Sequence, residues 1–276
     1  MPAGFSPILI IRPVLWLAVV IVATLLLHRR RVTSPVRLAF IISGILVFGF
    51  VFAQAASTGL QPNPVAALRV VLARIVLPGN APGAAGVAAT ALPFAILALL
   101  LVAGWVSNKS ICGWVCPFGL LQDLMARVPA PKWQPPFHLS NSVRVAALVA
   151  LIVGIAVAGV DWIRSVDPFS IFSLNVSLAS GTFVAVALVA AVFIYRPWCR
   201  FLCPFGLVSW IVEQASVLRP RIDRDACAEC KLCVRACPTS AMADLYEGKS
   251  IHADCFACGK CIAACPKTDA IAWCRR

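Results

Sequence analysis

Charged residues are scarce in this sequence. They make up 13% of its 276 residues, whereas 61% are hydrophobic and the mean hydropathy is +0.91. Because a soluble domain carries about 25% charged residues, this composition excludes a soluble globular protein. The chain is expected to be an integral membrane protein surrounded by lipid.

Acidic residues are fewer than basic ones: 11 Asp and Glu against 24 Lys and Arg give a net charge of +13. Most of the basic excess lies before Arg219, between apolar stretches. The positive-inside rule concentrates Lys and Arg in such loops, so membrane orientation explains the charge better than a nucleic-acid-binding surface does. We therefore expect no nucleic-acid partner.

Histidine is also scarce, with three copies at His28, His138 and His252. None lies within a predicted span, which excludes a haem held by histidine inside the membrane. Their scattered positions indicate surface or interface residues rather than ligands. The sequence has no nucleophile triad, phosphate loop or paired-carboxylate site. The chemistry is therefore expected to depend on the 13 cysteines.

Five apolar stretches approach the length of about 20 residues that a transmembrane helix needs. They cover residues 8–27, 38–56, 87–106, 145–160 and 178–195. They predict an all-α polytopic membrane domain of about five transmembrane helices over residues 1–218. A second interpretation takes residues 29–55 as a signal peptide that ends in Ala53-Gln54-Ala55, which would remove one span.

The distribution of basic residues predicts the orientation. With five spans, ten basic residues face one side and four face the other. The ten are Arg29, Arg30, Arg31, Arg37, Lys109, Arg127, Lys132, Arg144, Arg196 and Arg200; the four are Arg12, Arg69, Arg74 and Arg164. The richer side is expected to be the cytoplasm. The C-terminal segment then lies on the cytoplasmic side of a bacterial cytoplasmic (inner) membrane.

The last 50 residues contain nine cysteines, eight of them in two runs of the form Cys-x2-Cys-x2-Cys-x3-Cys-Pro. This is the spacing of bacterial two-cluster ferredoxins, in which the fourth cysteine of each run binds the other cluster. We expect two [4Fe-4S] clusters in an α+β ferredoxin-like domain over residues 219–276. One cluster is expected on Cys227, Cys230, Cys233 and Cys265, and the other on Cys255, Cys258, Cys261 and Cys237.

Two alternatives to clusters are weaker. Structural zinc accepts Cys-x2-Cys pairs but gives no reason for eight cysteines in this interleaved spacing. A disulfide framework conflicts with a reducing cytoplasm. Cys274 lies outside both runs and is expected to be a free thiol.

A second cysteine pattern, Cys-x3-Cys-Pro-Phe-Gly-Leu, occurs twice, and its copies begin 87 residues apart. The block cysteines are Cys112 and Cys116 in the first copy and Cys199 and Cys203 in the second. On a helix, residues four apart share one face. Each pair follows the cytoplasmic end of a predicted span, so the four are candidate redox or metal-binding thiols at one depth. The alternative is that they are small hydrophobic residues at a helix elbow.

Together these motifs resemble the polytopic ferredoxin-type membrane proteins typified by the NapH subunit of periplasmic nitrate reductase systems. Relatives in that family include the methylamine-utilisation protein MauN, the nitrous-oxide reductase accessory protein and a cytochrome oxidase assembly protein. The resemblance covers residues 38–273. The chain departs from the NapH pattern by an additional N-terminal span, so nitrate-related and methylamine-related roles both stay open.

The resemblance implies a membrane-bound iron–sulfur electron-transfer protein. Such a protein would link the quinol pool to cytoplasmic-side clusters, in support of a periplasmic redox enzyme. It would act as a quinol dehydrogenase component with ferredoxin-type or cytochrome partners rather than as a stand-alone enzyme. The alternative is an assembly or maturation factor for a periplasmic metalloenzyme or its cofactor. A redox sensor is a third interpretation, although the sequence shows no output module.

Overall fold

The computed structural model describes residues 8–55, 63–77, 87–174 and 176–275. Helices dominate the described residues, and one two-stranded sheet lies near the C-terminus. The α-helices are α1 (Ile8–His28), α2 (Ser34–Gly44), α3 (Phe52–Ala55), α4 (Pro64–Val76), α5 (Val87–Ser107), α6 (Pro117–Met125), α7 (Phe137–Val153), α8 (Trp162–Ser165), α9 (Leu178–Phe193), α10 (Pro204–Glu213), α11 (Leu232–Ala236), α12 (Ala241–Tyr246) and α13 (Lys260–Ala263).

The helices are interrupted or extended by segments of other helical geometry. Four π-helical segments cover Ile45–Val51, Ile111–Val115, Gly154–Ala158 and Trp198–Leu202, and one 3₁₀ segment covers Pro168–Ser173. Two of the π-helical segments contain the first cysteine of a Cys-x3-Cys-Pro block. π-helical turns are rare, and those that occur often lie at functional sites. These two segments therefore mark the blocks as unusual.

Three continuous helical segments in the described residues are long and apolar enough to cross a bilayer: Ile11–His28, Ser34–Val51 and Phe137–Ala158. A fourth candidate is bent by 80° between Trp162–Ser173 and Leu178–Phe193. Large apolar side chains such as Val22, Leu46 and Val149 are exposed along these segments. Such surfaces suit lipid rather than water.

Two of the spans begin earlier than the sequence predicted. The second begins at Ser34 rather than at residue 38, and the fourth begins at Phe137 rather than at residue 145. The charge count placed Arg37 and Arg144 in cytoplasmic loops, and that placement is wrong, because both side chains are buried inside helices. Each guanidinium hydrogen-bonds to protein atoms, so neither arginine marks a membrane boundary.

The two blocks have the same local backbone. In each, a π-helical segment ends at the second cysteine, and the following proline begins a new helix, α6 or α10. Proline is favoured at this first helical position because its missing N–H has no helical partner there. Cys116 and Cys203 are extended, with ψ of 112° and 113°, as residues before proline prefer. The expectation that each cysteine pair shares one α-helical face is therefore wrong.

The glycine of each block allows the new helix to pack against the preceding π-helical segment. A Cβ atom on Gly119 would lie 2.8 Å from the Cys112 carbonyl oxygen, and one on Gly206 would lie 2.5 Å from the Cys199 carbonyl oxygen. Both distances are too short for a side chain. The repeated Pro-Phe-Gly sequence thus encodes a tight turn from the π-helical segment into the helix.

The C-terminal region forms a small sheet that docks on the helical region. Strand β1 (Leu218–Ile222) pairs antiparallel with β2 (Ile271–Arg275). The expected domain boundary between residues 218 and 219 falls inside β1. Val217 N donates to Trp105 O at 2.8 Å, and His28 Nδ1 lies 2.9 Å from Trp273 O. The sheet is therefore tied to the ends of α5 and α1.

The first block makes the closest contact with the C-terminal region. Trp114 Nε1 donates to Ala257 O at 2.8 Å. The neighbouring Gly113 faces the carbonyl of Phe256 so closely that a Cβ atom would overlap it. The second ferredoxin-like run, which contains Phe256 and Ala257, is therefore seated directly on the first block.

We predict that Gly113→Ala weakens this contact. The added methyl meets backbone rather than a flexible side chain, so relief requires movement of the whole loop, at a cost of about 1–3 kcal/mol. Thermal unfolding of the detergent-purified protein should show a lower midpoint. Gly104→Ala, where nothing lies within 4 Å, is the matched control and should keep or slightly raise the midpoint. Equal midpoints for both variants would contradict the close approach.

Candidate metal centres

The structure groups the second-run cysteines with one cysteine of the first run. Cys255, Cys258 and Cys261 line one cavity, and Cys237 lines it with them. Burial raises the pKa of the Cys237 thiol, and the neighbouring Cys258 raises it further. This is the grouping expected for one ligand set, in which the fourth ligand crosses over from the other run.

The other predicted ligand set lies nearer the surface. Burial raises the pKa of the Cys233 thiol, and Cys265 and Cys227 are close enough to raise it further. Cys230 is exposed, whereas Cys233 is buried. The structure thus brings Cys265, from the second run, close to Cys233 of the first.

Both runs have features that suit iron–sulfur clusters. Left-handed residues occur in each, at Glu229 and Lys231 in the first run and at Ala257 and Gly259 in the second. Turns of this kind present backbone N–H groups to anions. A [4Fe-4S] cluster held by four thiolates is anionic, so turns of this kind suit it.

The four block cysteines also lie together, although they come from segments 87 residues apart. Burial raises the pKa of Cys112 to about 12, with a further contribution from the nearby Cys199. Burial likewise raises the pKa of Cys203, and Cys199, Cys112 and Cys116 add to it. Two blocks therefore contribute to one buried group of four thiols.

Two buried cations cross between the blocks. Lys109 and Arg196 occupy equivalent positions, each three residues before the first cysteine of its block. Lys109 Nζ donates to the carbonyl of Gly206 in the second block at 2.8 Å. Arg196 donates to the carbonyl of Cys112 in the first block. Each block is therefore held by a cation from the other.

Two further cations hold each block from a neighbouring helix. Arg37 of α2 donates to Gly113 O at 2.6 Å, and Arg144 of α7 donates to Cys199 O at 3.3 Å. Their side chains are 5% and 0% exposed. The carbonyl oxygens of both π-helical segments thus receive hydrogen bonds from buried cations, which compensates for irregular backbone in a buried setting.

Buried carboxylates balance most of these cations. Asp123 pairs with Arg37 at 2.7 Å and with Arg196 at 3.3 Å. Burial alone would raise the pKa of Asp123, but the two arginines outweigh burial and lower it to about 2. The carboxylate therefore stays ionised at neutral pH.

A second ionic group joins the membrane region to the second ferredoxin-like run. Asp254, directly before Cys255, pairs with Lys109 and lies 3.0 Å from Arg144. Glu213 of α10 accepts a hydrogen bond from Cys255 N at 2.6 Å, and burial raises its pKa to about 8. The backbone entering the second run is therefore fixed by side chains of the helical region.

Phe256 lies between the two crossing cations. Its ring centroid is 5.4 Å from Lys109 Nζ and 4.9 Å from Arg196 Cζ. Cation–π contacts of this kind are stabilising when buried. Phe256 follows Cys255 directly and lines the second-run cavity, so it joins that cavity to the two crossing cations.

No histidine of the described residues lines the second-run cavity, although His252 Nδ1 lies 3.7 Å from Glu213 Oε1. His28 contacts the C-terminal strand at Trp273, as an interface residue would. His252 is also at an interface but is fully buried, and burial lowers its pKa. Sequence reasoning missed the crossing cations and Phe256. The sequence did contain a signal for the cations: when the two blocks are aligned, Lys109 and Arg196 occupy equivalent positions.

Comparison with known proteins gives matches in three segments of the chain. Residues 89–136 and 176–223, which contain the two blocks, each match the 4Fe-4S binding domain, and residues 219–266 match the 4Fe-4S dicluster domain. The ferredoxin-type protein NapH of Haemophilus influenzae is 26% identical over 58% of this chain and 60% of its own. The chain is therefore similar to a ferredoxin-type protein over these residues.

Other relatives support the same grouping. YccM of Escherichia coli, assigned to electron transport, is 24% identical over 62% of this chain and 52% of its own. The regulatory protein NosR of Pseudomonas aeruginosa is 28% identical over 54% of this chain and 22% of its own. The matches to YccM and NapH thus span about half to two thirds of those proteins. No solved structure matches the chain.

We predict that Asp123→Asn strongly destabilises the helical region. The substitution leaves Arg37 and Arg196 without their shared counter-charge in a buried site, which costs about 3–5 kcal/mol. The measurement is the denaturation midpoint in detergent. Glu247→Gln, which breaks an exposed pair with Lys249, is the control and should leave the midpoint nearly unchanged. A similar small effect for both variants would show that the buried network is dispensable.

Proposed function

We propose that this chain is a membrane-bound electron-transfer protein that links the quinol pool to [4Fe-4S] clusters on the cytoplasmic side, in support of a periplasmic redox enzyme. The observation that carries the proposal is the packing of Phe256, which lines the second-run cavity, against Gly113 of the first block and against Arg196. The similarity to a ferredoxin-type protein and to an electron transport protein supports it.

The proposed ligands follow the grouping of the side chains. Cys237, Cys255, Cys258 and Cys261 would hold one cluster, and Cys227, Cys230, Cys233 and Cys265 the other. When bound, each cluster is a one-electron carrier, so the two match the two electrons that one quinol releases with its two protons. The buried pairs of Lys109 and Arg144 with Asp254 fix the second run against the helical region.

Several finer features belong to the same proposal. The chain would cross a bacterial inner membrane about five times. The helix α5 would be the fifth span, beside the three continuous candidates and the bent one. Residues 1–218 would form the membrane domain, and residues 219–276 a cytoplasmic α+β ferredoxin-like domain. The partner enzyme would belong to a nitrate-reductase-like or methylamine-dehydrogenase-like system, reached through ferredoxin-type or cytochrome partners.

A second candidate function uses the same four block cysteines differently. An assembly factor for a periplasmic metalloenzyme would bind a metal at these thiols and pass it on. The buried, clustered thiols favour this candidate over a redox sensor. The two functions differ in turnover, because an electron carrier is needed continuously, whereas an assembly factor is dispensable once its client is mature.

The electron route predicts different effects from two cysteine substitutions. Cys258→Ala and Cys230→Ala should each remove about four of the roughly eight irons of the ferredoxin-like region. In liposomes, menadiol should still reduce the remaining cluster of Cys230→Ala but not that of Cys258→Ala. The reason is that Cys258→Ala lacks the cluster that lies next to the membrane domain. Electron paramagnetic resonance (EPR) measures the reduction. Dithionite is the control, because it reduces the clusters directly, without electron transfer through the membrane domain. The reverse pattern would contradict the route.

The orientation predicts the activity of reporter fusions. Alkaline phosphatase fused after Trp273 should be inactive, because the enzyme folds only outside the reducing cytoplasm. A fusion near Asn80, which lies outside the described residues, should be active. High activity after Trp273 would place the ferredoxin-like region in the periplasm and refute the proposed side.

A further inference from the structure

We infer that the two Cys-x3-Cys-Pro blocks together hold one additional [4Fe-4S] cluster, with two thiolates from each block. The role of this centre in quinol-linked transfer rests on the proposed function, but its existence does not. Each segment that matches the 4Fe-4S binding domain contains only two cysteines. A [4Fe-4S] cluster needs four. Two half-sites brought together make one complete site.

The contacts between the two blocks support a single shared site. Arg196, three residues before Cys199, donates to the Cys112 carbonyl oxygen. Gln122, in the helix that follows the first block, has its Nε2 atom 3.6 Å from Cys199 Sγ. The Cys199 thiol also interacts electrostatically with Cys112 and Cys116. Three of the four block cysteines are buried, and Cys116 is partly buried.

The charges around the group suit a buried anion. Four thiolates around a four-iron core give a centre with net negative charge, which is costly to bury without counter-charges. Lys109 and Arg196 both lie within electrostatic range of Cys112 and of Cys199. Together with Arg37 and Arg144, they outnumber the three neighbouring carboxylates, and one positive charge remains even when all three are ionised. These carboxylates are Asp123, Asp254 and Glu213.

A backbone N–H group reaches a sulfur atom in the second block. Gly206 N donates to Cys203 Sγ at 3.3 Å. This donor lies in the first turn of the helix that begins at Pro204. Hydrogen bonds to sulfur tune the potential of iron–sulfur clusters. The Pro-Phe-Gly turn of the second block thus supplies a donor to the shared centre.

The test counts iron and acid-labile sulfide in anaerobically purified protein. The wild type should contain about twelve irons per chain, eight in the ferredoxin-like region and four between the blocks. Cys112→Ala and Cys199→Ala should each contain about eight, with the EPR signals of the remaining two clusters unchanged. Cys274→Ala, outside every proposed ligand set, is the matched control and should keep about twelve.

The wild-type count decides the matter even if a variant fails to fold. About eight irons with one zinc or copper ion that Cys112→Ala loses would overturn the inference in favour of a single-ion site. About eight irons and no other metal would leave a thiol group without a centre and would also overturn it. If twelve irons are present but menadiol reduces none of the clusters, the proposed function fails while the inference stands.

Discussion

The structure depends on two buried cations that cross between repeated segments. Lys109 and Arg196 each leave their own block and bind the backbone of the other. A buried cation is costly unless its donors are satisfied and its charge is balanced. Here backbone carbonyl oxygens of the opposite block and buried carboxylates meet both needs. The same contacts bring the block cysteines together, so the stability of the core and the geometry of the site have one cause.

The ferredoxin-like region is part of this arrangement rather than an appendage. Asp254 completes the ion pairs of Lys109 and Arg144, and Phe256 fills the space between Lys109 and Arg196. Both residues flank Cys255. The segment that contains the proposed cluster ligand Cys255 thus also packs into the buried core of the helical region. This explains how a short C-terminal region can keep a fixed position next to the four-cysteine group.

The sequence carried more information on the cysteine patterns than on their surroundings. Cysteine spacing is a local property, so candidate ligand sets and the two blocks could be proposed without a fold. The placement of Arg37 and Arg144 could not, because a basic residue near the end of an apolar stretch usually lies in a loop. Their burial follows from partners more than 50 residues away, such as Cys199 and Asp123. The π-helical geometry of the blocks was likewise hidden, because the spacing of four predicts an ordinary helix.

The central claim is that three iron–sulfur centres lie in sequence, from the repeated blocks through the second run to the exposed first run. An iron anomalous difference map of anaerobically prepared crystals tests it most directly. The map should show three separate four-iron peaks, with the first enclosed by Cys112, Cys116, Cys199 and Cys203. Its neighbour should lie beside Phe256. Two peaks only, or a first peak bordering the Cys230 set instead, would contradict the account.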